Sequence, residues 1–275
     1  MIQRMPVTDS RPLAQLHRLM RIAIAVLLLL ASTTPSIAAD AAPDPELEQM
    51  RDRLATRLPE VRREDVQRSA APGLFEVRSG MTFGYVTADG LYVISGEMAD
   101  LSTGERITEA RRDRERLGIA QRLQPDAIVF APAAPTQWIT VFTDVDCHYC
   151  RLLHREVPEL NKLGIGIRYV FFSKYGSPSQ AYDRARVIWC QKDRQASLNV
   201  GLLSGVVPTR DASCKDPVRD QYQAAVDLGI HGTPAMILPD GGLFYGYAKA
   251  ESIVEEIRSR AAAAAPRGDQ PPTAP

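Results

Sequence analysis

A strand-like run, Trp138-Ile139-Thr140-Val141-Phe142-Thr143, passes through Asp144-Val145-Asp146 into Cys147-His148-Tyr149-Cys150, and a helical pattern with Leu152, Leu153, Glu156 and Val157 follows. A Cys-x-x-Cys pair at a strand-to-helix junction is suited to thiol chemistry. The helix N-terminus carries partial positive charge and unpaired N–H groups, which favour the thiolate of the first cysteine, the form that attacks disulfides. The second cysteine lies one turn on, where it can attack a mixed disulfide formed at the first. The pair reads as a redox site in which Cys147 attacks and Cys150 resolves.

The ends of the chain bear on that reading. Residues 1–38 are expected to be an export signal: Met20-Arg21 precedes the apolar run Ile22 to Ala31, and the small-residue site Ser36-Ile37-Ala38 follows. The run is about half the ~20 residues a membrane span needs, which argues against an anchor. Met20 is an alternative start, and the exported chain would begin near Ala39. In an oxidising compartment four cysteines point to disulfides rather than zinc. They fall into two unlike pairs, Cys147/Cys150 and Cys190/Cys214, whose spacing lacks the second close pair a zinc site wants. No metal or other cofactor is called for.

The chain carries 33 basic and 33 acidic residues. Without residues 1–38 it loses Arg4, Arg11, Arg18, Arg21 and Asp9, leaving about 29 against 32, and no basic stripe that would recruit nucleic acid.

Along the exported chain, Leu47, Met50, Leu54 and Leu58 recur at helical spacing before Pro59. Strand-like runs follow at 74–78, 81–87 and 91–95, the last two joined by Asp89-Gly90 as a two-residue hairpin turn. Residues 39–104 are thus expected to form a small α+β unit, too short for a sizeable core of its own and suited to packing against a second copy. Residues 105–131 hold a charge-dense helix over 105–124 with a thin apolar stripe (Ile107, Ala110, Leu117, Ala120), read as a solvated linker. From Pro132 to residue 260 strands and helices alternate, the strand-helix-strand, hairpin, helix order of an α/β sandwich. Ala261 to Pro275 is rich in alanine and proline and reads as a disordered tail.

The Cys-x-x-Cys, the element order around it and Gly232-Thr233-Pro234 before the last hairpin resemble the thioredoxin fold, in which a cis-proline faces the active-site cysteines. The resemblance narrows with FTDVDCHYC, VIWCQKD, the isolated Cys214, LGIHGTPAMIL and GYVTADGLYVISGEMADLSTG. Over roughly residues 44–258 the chain is similar to the DsbC/DsbG family of periplasmic disulfide isomerases, with a thioredoxin-like catalytic domain behind a small dimerisation domain. The resemblance implies a cis bond between Thr233 and Pro234, exposing the Thr233 backbone to an extended substrate segment. It also implies a structural Cys190–Cys214 bridge, which distinguishes the DsbC branch and closes a loop of about 25 residues worth about 3 to 4 kcal/mol.

Two features around the cysteine pair stand out. His148 and Tyr149 replace the Gly-Tyr dipeptide common between the cysteines, and a histidine there is expected to tune the Cys147 thiolate and make the disulfide more oxidising. Val141 occupies the place where many thioredoxin-like enzymes keep a buried acid. Asp144 and Asp146 are nearer in sequence but are expected to cap the helix. His154 is read as a helix-surface residue and His231 as a loop residue, neither with a role. The expected function is a homodimeric thiol:disulfide isomerase and reductase acting on misfolded exported proteins and kept reduced by a membrane electron donor of the DsbD type. A monomeric thiol oxidase and a dimeric holdase chaperone are the competing readings.

Overall fold

A computed structural model of the chain describes residues 44–209 and 213–264, so the expected export signal, its expected cleavage site and the alternative start lie outside the described residues. The amphipathic spacing near the start forms helix α1, Pro45–Arg57. Its Met50 and Leu54 pack on Val66, Phe75, Val77 and Val86 of an antiparallel sheet. That sheet runs in sequence order through β1 (Val66–Arg68), β2 (Leu74–Ser79), β3 (Thr82–Thr87) and β4 (Val93–Ser95).

The two-residue turn is elsewhere than expected. Ser79 pairs with Thr82, so Gly80-Met81 makes the tight hairpin, with Gly80 at the positive φ (59°) such turns require. Asp89-Gly90 belongs instead to a four-residue loop, because Val86 pairs with Val93 and the Thr87 N–H donates to the Tyr92 carbonyl. Arg53 and Arg57 of α1 donate to the carbonyls of Asp89 and Gly90, fastening that wider loop to the helix.

Helix α2, Ile107–Leu123, is not the solvated linker its charge density suggested. Arg111 pairs with the buried Glu76 at 2.8 Å and donates to Gln67, and Arg112 pairs with Glu97 at 2.7 Å. The buried Arg116 is held by Glu109 and Asp113, and the fully buried Thr108 hydroxyl meets Tyr85 Oη at 2.6 Å. Most of these charges are matched by partners, on the first sheet, just after it or within the helix itself, so the thin apolar stripe understated how much of α2 would be covered.

The second sheet has the order β5-β7-β6-β8-β9: Ile128–Phe130, Ile165–Phe171, Gln137–Thr143, Ala235–Ile237 and Leu243–Tyr245. Only β6 and β7 run parallel. Both faces are covered, which accounts for the nearly unbroken apolar runs of β6 and β7. On one face Ile139, Val141, Ile167 and Tyr169 pack with α3 (His148–Lys162), α4 (Gln180–Trp189), α5 (Arg194–Ser204) and α7 (Ala250–Ala264). On the other, Phe142 and Val170 pack with Ala120 and Leu123 of α2 and Ala225 of α6 (Val218–Asp227). The β8–β9 turn comes so close to α2 that a Cβ on Gly241 would overlap the Asp113 carbonyl, and Arg260 reaches back to Asp113 at 2.9 Å.

Helix α7 continues through Ala264, four residues into the segment read as a disordered tail. Alanine has the highest helix propensity, so a run of it extends a helix already anchored by Ile253 and Ile257. The remainder of that tail lies outside the described residues.

Candidate functional site

Strand β6 ends at Thr143, and Asp144-Val145-Asp146 turns the chain so that Cys147 becomes the N-cap of α3. Neither aspartate caps the helix. Asp144 Oδ1 accepts from the Asp146 N–H at 2.8 Å and closes the turn before it, while Asp146 pairs with Arg184 at 2.8 Å. Burial pushes the Asp144 carboxyl up.

Cys147 is half-buried and Cys150 almost wholly buried, and both are free thiols. Cys147 Sγ lies 3.2 Å from the carbonyl oxygen of Thr233, which precedes Pro234 across a cis peptide bond. A second cis bond, Ser177–Pro178, gave no signal in the sequence. Thus four of the residues singled out in the sequence, separated by more than eighty positions, meet at one point.

The two thiols are driven apart in acidity. The Cys147 pKa falls to about 5, chiefly because the Cys150 thiol hydrogen-bonds to it; burial opposes this, and the Thr233 side chain and the backbone N–H groups of Cys150 and Tyr149 add to it. Burial, then the hydrogen bond and charge of Cys147, push the Cys150 thiol well up. Cys147 is therefore almost entirely thiolate at neutral pH while Cys150 keeps its proton, the division of labour that attack and later resolution require.

His148 is exposed, and its ring meets that of Tyr149 edge-on with centroids 5.6 Å apart. His231 is exposed too and lies against Tyr245. His154 differs from its reading as a surface residue: it is only 3% exposed. Its Nδ1 meets Tyr169 Oη at 3.1 Å and its Nε2 meets Asn199 Oδ1 at 3.0 Å. Burial lowers its pKa and favours the neutral ring. One turn beyond Cys150 on α3, it shares the inward face with Cys150, Leu153 and Val157, a spacing already present in the sequence.

Sequence reasoning passed over Thr143, which is fully buried just before the Asp144 N–H that meets Cys150 Sγ, and Arg184, which holds Asp146 next to Cys147. Away from the site, Cys190 and Cys214 form a disulfide with Cα atoms 5.6 Å apart.

Residues 37–109 match the disulfide bond isomerase protein N-terminal domain, and residues 124–261 match a thioredoxin-like domain. The chain is 35% identical over 184 residues to the thiol:disulfide interchange protein DsbC of Salmonella typhimurium, covering 66% of this chain and 76% of that protein. It is 32% identical over 197 residues to the DsbC of Escherichia coli K12, covering 71% of this chain and 81% of that one. The probable DsbC of Bordetella pertussis is 28% identical over 206 residues, covering 74% and 72%.

Proposed function

The chain belongs to the DsbC family of thiol:disulfide interchange proteins, and we propose that it rearranges wrong disulfides in exported proteins through a mixed disulfide at Cys147. The observation that carries this reading is the free Cys147 sulfur, held at the N-cap of α3 and 3.2 Å from the Thr233 carbonyl. Cys147 attacks one sulfur of a substrate disulfide and frees the other as a thiolate. The freed thiol attacks elsewhere in the substrate until a correct thiol displaces Cys147, so the protein turns over without net oxidation or reduction. Where no rearrangement succeeds, Cys150 attacks Cys147 and releases the substrate reduced. Thr233 and Pro234 present the backbone edge on which an extended substrate segment lies.

The protein acts as a homodimer. Strand β4 pairs with β3 on one side only, and Leu91, Tyr92, Val93 and Ile94 leave an exposed apolar edge there. Such an edge is suited to a second copy, which would set two reduced sites across one cleft. Residues 39–104 are the dimerisation domain, residues 132–260 the catalytic domain, and Cys190–Cys214 a structural bridge. The protein works in the periplasm after removal of residues 1–38. It draws electrons from a membrane donor of the DsbD type, since an isomerase in an oxidising compartment must be returned to the dithiol state.

Refolding of a scrambled multi-disulfide protein with catalytic amounts of reduced enzyme tests the reading. Native activity should return faster than with glutathione alone, and Cys147→Ser should abolish the gain. Equal recovery with and without the enzyme would sink it.

A further inference from the structure

The Thr143 side chain is fully buried, and its hydroxyl forms no hydrogen bond among the described residues. A buried hydroxyl without a partner forfeits about 1 to 3 kcal/mol of solvation, so its position needs a reason. The next residue supplies one: the Asp144 N–H points at the Cys150 sulfur, 3.5 Å away. Thr143 therefore ends β6 directly before the N–H that meets the resolving cysteine. We propose that the Thr143 hydroxyl and the Asp144 N–H form the niche that receives the Cys150 thiolate when it resolves a mixed disulfide, making Thr143 a catalytic residue of the escape step. This extends the reading of Cys147 as attacking thiol and rests on it.

The step is balanced within the site. Cys150 gives up its proton, and its thiolate attacks the Cys147 sulfur of the mixed disulfide. The Cys147–Cys150 bond forms, the bond from Cys147 to the substrate sulfur breaks, and the electron pair leaves with that sulfur, which takes up a proton. The substrate is reduced by two electrons and the dithiol of the enzyme is oxidised. Charge appears on a sulfur in an apolar wall, where preorganised donors have their largest effect. A hydroxyl that meets no partner of good geometry in the resting thiol and bonds more strongly to the thiolate lowers the barrier more than it stabilises the ground state. The influence of Thr143 on Cys150 has the required sign, favouring the charged form.

The test uses the reduced full chain and oxidised glutathione, with time points quenched in acid and separated by mass. Appearance of the glutathione adduct on Cys147 reports the attack, and its decay to the Cys147–Cys150 disulfide reports the escape. In Thr143→Val the escape should slow about three- to tenfold more than the attack, the effect of one hydrogen bond to a charged group after the lower nucleophilicity of a more acidic thiol is deducted. Its pH midpoint should move upward, and Thr143→Ser should restore both. Removing an unpartnered hydroxyl should also leave the melting temperature unchanged or higher, whereas a structural role would lower it. Equal effects on both phases, or loss of escape in Thr143→Ser as large as in Thr143→Val, would overturn the assignment. Failure to form any adduct on Cys147 would instead refute the underlying reading of the nucleophile.

Discussion

Attack by Cys147 should persist far into acid, and by an amount that follows from its pKa of about 5. At pH 5 half of Cys147 is ionised, against roughly 0.03% of an ordinary thiol of pKa about 8.5, a gain on the order of a thousandfold. The more acidic thiolate is a poorer nucleophile: a Brønsted slope of about 0.4 to 0.5 over about 3.5 units removes roughly 25- to 55-fold. The net expectation is attack about 30- to 60-fold faster than a peptide thiol at pH 5, near parity at about pH 7, and roughly tenfold slower at pH 8. The assay is the first turnover of reduced enzyme on a small pyridyl disulfide, followed by absorbance of the released thione from pH 4 to 9, beside a cysteine peptide. A rate ratio independent of pH, or an enzyme midpoint within about a unit of the peptide value, would refute the arrangement of donors around Cys147.

Thr233→Val removes a group that favours the Cys147 thiolate and should raise the midpoint. His148→Gly should raise it less, because the ring packs on Tyr149; thiolate absorbance titrations rank the two, and the reverse order would give His148 the larger part. In the reduced protein the lowered Cys147 pKa contributes stability that is fully present above the ordinary value of about 8.5 and is lost as pH falls through about 5. The melting-temperature advantage of the wild type over Cys147→Ser should therefore shrink across that window. His154→Leu leaves Tyr169 Oη without its partner and should cost about 1 to 3 kcal/mol in urea unfolding. Ile94→Lys on the β4 edge should give a monomer by light scattering that still forms the glutathione adduct but isomerises poorly; an intact dimer would place the interface elsewhere.

The cysteine pair, the strand before it and the helix after it were legible because their signals are local: an apolar run, a turn, then apolar residues at helical spacing. The meeting of Cys147 with Thr233 was legible only through the family resemblance, since no local rule joins positions so far apart. What escaped depended on partners that one segment cannot reveal. Helix α2 read as solvated because its arginines are charged, and nothing within 105–124 tells that Glu76 on β2 and Glu97 just after β4 pair with Arg111 and Arg112. Thr143 read as the last residue of a strand, and its interest lies in what its hydroxyl lacks. His154 was the exception, for its place on the Cys150 face was present in the spacing and was outweighed only by the general exposure of histidine.

The two cysteines also set a sequence of events. In the resting dithiol the Cys150 thiol is the chief donor to the Cys147 thiolate, and the same hydrogen bond and charge help to keep Cys150 protonated. Once Cys147 enters a mixed disulfide it carries no charge, and both of those influences on Cys150 vanish together. Burial still holds the Cys150 proton, opposed by the Asp144 N–H and by Thr143. Cys150 thus becomes able to attack only after Cys147 is engaged, and burial delays it further. That delay is the interval in which a substrate thiol can find the correct partner. Strengthening the niche around Cys150 would shift the protein from isomerase toward reductase, and weakening it would lengthen the life of the mixed disulfide without touching the attacking thiol.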